Sequence, residues 1–580
     1  MRNLELAKIF YEIAELLEMQ DIAFKPRAYE KAARTLESLE KDVKEIYQEG
    51  GLKDLEVLPG IGKSIALKIE EFIKTGRVKD YERLKKKCPV DIEALTAIEG
   101  LGAKKIKVLY QKLKIRNLKD LEKAAKAGQI RKLAGFGEKS EKNILQGLAF
   151  VKKTKGRFLL GFILPTVKEI IKDLESFKEV QRISPAGSIR RMKETVGDID
   201  ILVTSIQPEK VMEFFVKRPD VVKIWAKGPT RSSVRLKQGL DCDLRVIKKE
   251  SFGAALQYFT GSKDHNIAVR RLAQEKGLKL NEYGVFRGKK RIVGKTEEGV
   301  YRAIGLFYIE PELRTNTGEI EAAQRDFQGK PAGLPKIIGY DDILGDLQVH
   351  TKWSDGSQSI EEMAKQAKNL GYQYIAITDH TGQLRIANGL DEKRLLRQMA
   401  EIDKINKGFR FQVSGFKILK GCEVNIKNDG NLDMPDEILA KLDIVLAAVH
   451  SNFKMDKATM TKRLIRAMEN PHVDVIVHPT GRVIMRREPY QLDFEEIFKA
   501  AQKTKTALEI NAYPNRLDLK DTDIRQAIEA GVKLVINTDS HNINQLHFME
   551  LGISQARRGW AEKRDVLNTR PLEKLLENFH

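Results

Sequence analysis

Cysteine is nearly absent: three residues in 580, Cys88, Cys242 and Cys422, with no Cys-x-x-Cys pair. That excludes a disulfide framework and points to a reducing compartment, the cytoplasm by default. Long apolar runs are lacking too. No stretch approaches 18 consecutive apolar residues, and the nearest, Phe158–Val167, is interrupted by Pro165; nothing is expected to span a membrane. Met1–Met19 reads as an amphipathic helix with Leu4, Ile9, Phe10, Ile13, Leu16 and Leu17 on its apolar side. It lacks the apolar core and small-residue cleavage site of a signal peptide. Negative charge is in deficit, 82 acidic against 103 basic residues, a net +21. That balance favours a polyanionic partner, either nucleic acid or an anionic membrane surface. Histidine is scarce, nine in all, so the places where it clusters carry information. What remains, 42% hydrophobic residues over 580 positions, is enough for several domains with real cores.

The most informative stretch runs from Gly187 to Val203. It reads Gly187-Ser188-Ile189-Arg190-Arg191, a short polar segment, then Gly197-Asp198-Ile199-Asp200-Ile201-Leu202-Val203. The alternation predicts a strand, and residues two apart on a strand point the same way. Asp198 and Asp200 therefore share a face. Two carboxylates that close repel unless a cation sits between them, and a hard divalent ion takes such oxygen ligands. Gly187, Ser188, Arg190 and Arg191 are phosphate-binding groups just upstream. The pairing points to metal-assisted phosphoryl transfer. The bland reading is an exposed turn whose carboxylates pair with Lys193 or a nearby arginine.

A second predicted strand, Leu240–Ile247, puts Asp241, Asp243 and Arg245 on one face, and Tyr258-Phe259-Thr260-Gly261-Ser262, Asn266 and Arg270 follow. The Gly-Ser…Gly-Asp-x-Asp strand, the third Asp followed by Leu-Arg, and Tyr-Phe-Thr-Gly-Ser together resemble the DNA polymerase X family, polymerase beta-like, over roughly residues 1–315. The resemblance implies that Asp198, Asp200 and Asp243 bind Mg²⁺ or Mn²⁺, with Asp243 accepting the proton of the primer 3′-hydroxyl. It implies that Gly187, Ser188 and Arg191 serve the triphosphate of a deoxynucleotide, and that Gly197 belongs to the same nucleotide site. Tyr258 and Phe259 then line its sugar, Gly261 belongs to the nucleotide site, and Asn266 meets its base. Arg270 meets the template. Two positions depart from the family pattern: Asp241 and Lys263 stand where polymerase beta has a basic and an acidic residue. Lys263 is expected to add a positive charge beside the nucleotide.

Upstream, Leu58-Pro59-Gly60-Ile61-Gly62-Lys63 recurs around Gly100-Leu101-Gly102 and, more loosely, Gly135-Phe136-Gly137. A Gly-x-Gly-x-x-Ala dinucleotide fingerprint is rejected because no strand precedes it. Repetition at this spacing marks a structural unit of helix, hairpin and helix. Its glycines admit a phosphate and the following helix offers free N–H groups. The unit resembles the helix-hairpin-helix motif, which grips DNA backbone without reading bases; an ordinary helix–turn–helix packing unit is the alternative. Gly60, Gly62, Gly100 and Gly102 are thus DNA-binding candidates. Family resemblance further places Lys68 at the Schiff-base position of a 5′-deoxyribose phosphate lyase, and Lys25, Tyr29 and Lys31 at its 5′-phosphate site. Ser64 departs from the family's lysine after the hairpin.

Pro and Gly gather at Gly329-Lys330-Pro331-Ala332-Gly333-Leu334-Pro335, which marks a boundary. Beyond it, apolar runs alternate with helical stretches, the pattern of a parallel α/β barrel. The runs finish on polar residues, and strand ends converge on one face of a barrel. His350, His380, His450, His478 and His541, five of the nine histidines, fall there. With Asp355, Glu423 and Asp539 they form a multinuclear metal site. The set resembles the PHP (polymerase and histidinol phosphatase) domain over about 340–575, which implies a metal-dependent phosphoesterase holding two or three Mn²⁺ or Zn²⁺ ions. One residue departs: Gln348 replaces the first histidine of His-x-His. Arg482 is a candidate for a substrate phosphate.

The expected architecture is multidomain. All-α helix-hairpin-helix domains occupy 1–85 (lyase-like) and 86–154 (fingers-like). An α+β nucleotidyltransferase palm follows at 155–250, then a thumb at 251–315 and a linker at 316–339. A distorted TIM-like PHP barrel fills 340–580. The expected function is gap filling in DNA repair with 3′-end trimming; the partners are gapped or nicked DNA with a primer 3′ end and deoxynucleoside triphosphates, with no membrane. A DNA-binding scaffold with one inactive half and a small-molecule phosphatase on a basic carrier are the rivals.

Overall fold

In the computed structural model, residues 2–39, 41–98, 100–154, 156–382, 387–412 and 415–579 are described. The chain begins with helices Arg2–Met19 and Lys25–Ser38, and helices Lys63–Thr75, Ala103–Leu113 and Glu138–Thr154 each follow a Gly-x-Gly hairpin. The hairpins are alike in their backbone. Gly60, Gly100 and Gly135 have φ of 72°, 81° and 83°, the left-handed region that a Cβ penalises. The turns close with the same bond: Ile61 N–H to Leu58 O, Leu101 to Ile98 and Phe136 to Leu133, each at 3.0 Å. Gly62 and Gly102 cap the helices that follow in extended conformation, leaving their first N–H groups free. The helical segments at 1–85 and 86–154 share one core, from Leu6 through Ile69 and Ile106 to Leu148. They pack as one body because the apolar face of the first helix meets both.

The palm is a five-stranded sheet: β1 (Arg182–Pro185), β2 (Asp198–Thr204), β3 (Val221–Lys227), β4 (Arg231–Leu236) and β5 (Asp241–Val246), in the order β1-β2-β5-β4-β3. Only β2 and β5 run parallel, with Asp198 opposite Asp241 and Asp200 opposite Asp243. The thumb carries helices Phe252–Thr260 and Lys263–Glu275 and a small antiparallel sheet, β6 (Lys279–Asn281), β7 (Gly284–Arg287) and β8 (Lys290–Val293).

The stretch expected to be a linker is built structure. Helix Glu319–Phe327 sets Ile320 and Ala323 into the thumb core with Leu313 and Val269. Buried Glu319 takes a 2.7 Å contact from His265 Nδ1 and caps Asn316 and Thr317 N–H. The Pro/Gly cluster after it, residues 329–335, carries no helix or strand.

The C-terminal part is a parallel sheet of seven strands in sequence order: β9 (Gly345–Val349), β10 (Tyr374–Ile377), β11 (Lys417–Asn425), β12 (Ile444–Ala448), β13 (Val475–Ile476), β14 (Ala507–Asn511) and β15 (Leu534–Asn537). Val349 pairs with Ser540, which brings the last strand back towards the first. The sheet thus curls into a nearly closed barrel whose strand C-termini face one way.

The palm and barrel pack as one body. Leu160 and Ile163 share a core with Ala512, Leu517, Phe548 and Leu551. Glu194 of the palm accepts bonds from Arg482 (2.6 Å) and Gln555 (2.9 Å) of the barrel. Among the described residues no helix is long and apolar enough to cross a membrane.

Candidate active sites

In the palm, strand register does what alternation alone does not: pairing of β2 with β5 sets Asp243 beside Asp200. Asp243 is held by Ser233 Oγ at 2.5 Å and Arg231 Nη2 at 2.9 Å, both from neighbouring β4. Burial, then the charges of Asp198 and Asp243, push the Asp200 carboxyl up to about 6; burial and Asp243 raise Asp198 as well. Acids crowded together in this way suit a shared cation. Gly187, at φ 60°, sits so close that a Cβ there would lie 2.5 Å from Asp200 Oδ2. Ser188 lies in the same short turn of helix, Gly187–Arg190. Asp241, the departure, is neutralised locally: Arg235 grips both its oxygens, at 2.5 and 2.8 Å, and Trp225 Nε1 donates at 2.8 Å. It adds no free carboxylate.

Arg191 reaches the thumb, donating to Thr260 O, and its Nε is buried without a partner. Gly261 lies against it, since a Cβ there would stand 3.0 Å from Arg191 Nη1. Burial, Arg558 and Arg314 lower its pKa to about 10, which leaves it a cation at neutral pH. Arg190 is committed elsewhere, to Glu297 at 2.5 and 2.9 Å. Phe259 lies under Arg245 of the palm at 4.6 Å, and Tyr258 stacks edge-on to Phe259 at 5.1 Å. Arg270 covers Tyr258 at 5.7 Å. Asn266 is closed down: it accepts from Gln257 at 2.8 Å and donates to Tyr258 O at 2.7 Å. Lys263 is exposed at the start of its helix. Gly197 touches nothing a Cβ would meet.

At the barrel mouth the strand-end residues converge. Three overlapping groups have the spacing of metal ligands: His350, Asp355, His380 and His541; His380, Glu423 and His450; and His350, Glu423 and Asp539. Glu423 is the hub, 2.9 Å from His450 Nε2, 3.1 Å from His478 Nε2 and 3.3 Å from His350 Nε2. His350 stacks between His380 and His541 at 4.5 and 4.3 Å. Burial drives His380 down to about 3, so its ring is the neutral form that binds metals. Buried atoms without hydrogen-bond partners include both ring nitrogens of His350, Nδ1 of His380 and His478, and Gln348 Oε1. Buried polar atoms are ordinarily satisfied; a cluster of orphans among carboxylates fits divalent ions. Gln348 donates its amide to Glu423 Oε2 at 3.0 Å.

The supports around these ligands had no sequence motif. Asn425 fixes His450 Nδ1 at 2.5 Å. Asp379 accepts from Thr351, Ser354 and Gln398 and so shapes the loop to Asp355. Glu509 takes the His478 N–H at 2.6 Å. Only Asn425 was within reach of sequence, as the next residue on the Glu423 face of its strand. His478 and Asp539 have positive φ, 33° and 56°, strain of the kind that clusters at functional sites. Arg482 is not free for a phosphate: it is spent on Glu194 and Leu517 O. Arg516 faces the ligands, 3.6 Å from Asp539.

In the helical region Lys68 pairs with Asp80 at 2.9 Å and lies beside Tyr29. Burial works against its charge, and Asp80 and Tyr29 outweigh it, raising the pKa. Lys25 neighbours Asp80. Lys31 lies apart from this group, its Nζ donating to Gly356 O in the barrel at 3.2 Å.

Comparison with known proteins assigns these parts. Residues 1–78 match the family described as helix-hairpin-helix domain, and 52–114 and 92–149 match the SAM-like helix-hairpin-helix tandem. Residues 255–315 match DNA polymerase beta thumb, and 346–513 match PHP domain. The chain is similar to the DNA polymerase/3′-5′ exonuclease PolX of Bacillus subtilis (strain 168), 40% identical over 99% of this chain and 98% of the relative. It is also similar to a probable phosphatase of Thermoanaerobacter sp. (strain X514), 32% identical over 39% of this chain and 91% of that protein. A probable phosphatase of Shewanella sediminis (strain HAW-EB3) is 34% identical over 34% of this chain and 78% of its own length. With two catalytic-type clusters on one chain and likeness running its whole length, the protein belongs to the family X DNA polymerases that carry a PHP domain.

Proposed function

We propose that the chain fills short gaps in DNA by nucleotidyl transfer at Asp198, Asp200 and Asp243, and removes nucleotides from 3′ ends at the PHP centre. One observation carries this: two ligand sets, each complete in itself, stand on separate domains of one basic chain. Asp198, Asp200 and Asp243 would hold the divalent ions of the palm, Mg²⁺ or Mn²⁺. His350, Asp355, His380, Glu423, His450, His478, Asp539 and His541 would hold two or three Mn²⁺ or Zn²⁺ ions. When bound, the ions neutralise phosphate charge and acidify the attacking hydroxyl or water.

The chain's own groups do the rest. Asp243 Oδ1 and Oδ2 are fixed by Ser233 and Arg231, so the carboxylate is preset to take the primer hydroxyl proton. Gly187 lets phosphate approach the carboxylates, while Ser188 and Arg191 hold it; Arg191 is already stretched to the thumb and bridges nucleotide to thumb. Tyr258, Phe259 and Gly261 line the sugar. Asn266 reaches the incoming base by giving up its bonds to Gln257 and Tyr258. Arg270 serves the template, and Lys263 adds charge beside the nucleotide. The hairpin glycines grip the duplex backbone through free N–H groups.

A small phosphate ester is disfavoured as the main PHP substrate, because helices of the DNA-gripping type line the same cavity as the PHP ligands. Intact ligands in both centres disfavour a scaffold. The test uses one labelled gapped duplex. Asp198→Ala or Asp243→Ala should abolish incorporation and leave 3′ excision; His350→Ala or Glu423→Ala should do the reverse. Loss of both activities in Asp198→Ala would show one centre serving both.

A further inference from the structure

The second helix, Lys25–Ser38, lies across the mouth of the barrel. Lys31, Arg34 and Ser38 are spaced three and four apart, so they share one face. Lys31 Nζ donates to Gly356 O at 3.2 Å and Ser38 Oγ to Asn542 Oδ1 at 3.3 Å. Gly356 and Asn542 directly follow Asp355 and His541, two of the candidate ligands. Between these two anchors stands Arg34. It lines a cavity of about 720 Å³ together with Asp355, His380, His450, Asp539 and His541. Arg34 is exposed on the wall of this cavity. Burial opposes its charge, and the Tyr513, Tyr11 and Asp355 oxygens around it outweigh that. Among the described residues no hydrogen bond or ion pair engages its guanidinium, while Glu37, one turn on, is taken by Tyr11 at 2.8 Å.

A guanidinium fork with no partner among the described residues, facing a metal-type cluster on a face anchored to the ligand loops, suits a phosphodiester. We infer that the exonuclease site is completed across domains: Arg34, from the helix-hairpin-helix domain, binds a backbone phosphate of the strand whose 3′ end lies at the PHP centre. This rests on the excision activity proposed above. It gives the N-terminal domain a second duty besides holding duplex. A nuclease that borrows its backbone clamp from a DNA-gripping domain favours a polynucleotide strand over a free nucleotide or small ester.

The experiment uses the full chain with Mn²⁺ and a labelled single-stranded oligonucleotide. Arg34→Ala should raise KM about ten-fold with kcat within two-fold, the loss expected for one charge-assisted bond. Arg34→Lys should recover most of that loss. The slope of log KM against log salt should flatten by about 0.7, one single-strand phosphate contact. Hydrolysis of bis(4-nitrophenyl) phosphate, which has no strand to clamp, should be unchanged. Unchanged KM in Arg34→Ala, or a raised KM with an unaltered salt slope and no recovery in Arg34→Lys, overturns the inference. His350→Ala separates the two claims: if it still excises, the PHP assignment itself fails; if it does not while Arg34→Ala is normal, only the Arg34 role fails.

Discussion

Gly187 and Asp200 are in such close approach that a single methyl group cannot come between them: a Cβ on Gly187 would stand 2.5 Å from Asp200 Oδ2. The obstacle is a side-chain oxygen of a candidate ligand, and φ at Gly187 is 60°, so both space and backbone demand glycine there. Gly187→Ala should therefore displace Asp200. Shifts of about 1 Å in a reacting geometry cost on the order of 10²-fold in rate. Single-nucleotide incorporation should fall by about that factor while 3′ excision is unaffected. Incorporation within two-fold of normal would show that Asp200 moves without consequence.

The acids of the palm give a pH dependence with a definite sign. Burial, Asp198 and Asp243 raise Asp200 from 3.8 to about 6. A carboxyl raised in this way holds its proton more tightly in the fold than in the unfolded chain. Stability of the metal-free protein is then highest below pH 4 on this account and falls as pH rises towards 6. The loss is on the order of 2–3 kcal/mol. Asp200→Asn should remove that slope and raise the metal-free melting temperature at pH 7, and Mn²⁺ should stabilise the parent but not the variant to the same degree. Calorimetry at pH 4.5 and 7 decides; a variant no more stable than its parent at pH 7 contradicts the account.

Lys68 is poorly poised as a nucleophile in this arrangement, because Asp80 and Tyr29 hold it as an ammonium. A Schiff base needs the free amine. Borohydride trapping of a 5′-deoxyribose phosphate oligonucleotide should be slow at pH 7 and rise with pH. Asp80→Asn should speed it several-fold, since each unit of lowered pKa gives about ten times more free amine. Lys68→Arg should abolish it. Trapping that persists in Lys68→Arg would move the nucleophile to another lysine.

Much of this was legible in local pattern. Alternation in Asp198–Val203 and strand-terminal histidines state their own geometry, and Gly60, Gly100 and Gly135 announce positive φ. What was not legible is non-local. The partnership of Asp200 with Asp243 was reached by family resemblance and not by local pattern, while that of Asp243 with Ser233 across β4 depends on strand register, which no single strand encodes. Glu319 reads as a linker acid until His265 is seen beneath it. Arg482 follows a histidine motif and looks available, but Glu194, 288 residues away, has claimed it. The face Lys31–Arg34–Ser38 looks like any polar helix surface, and only the docked barrel gives it a purpose.

The last prediction turns on Gln348. Its Nε2 donates to Glu423 Oε2 at 3.0 Å, and its Oε1 is buried without a partner. An amide can offer a metal only that oxygen, whereas histidine offers nitrogen, the better donor for zinc-like ions. The site Gln348 serves should therefore hold its ion more weakly than its neighbours, or prefer Mn²⁺. The other ions keep five histidines and three carboxylates, so they should remain bound when the weak one is lost. Gln348→His should raise the number of ions per chain and lower the excess Mn²⁺ that excision needs. It also removes the donor to Glu423, so excision at saturating Mn²⁺ should not exceed that of the parent. Elemental analysis after dialysis, with a Mn²⁺ titration of excision, measures both. Equal stoichiometry and superimposable titrations would leave Gln348 the single task of orienting Glu423, and Gln348→Glu, which repels that carboxylate, should then be the more damaging change.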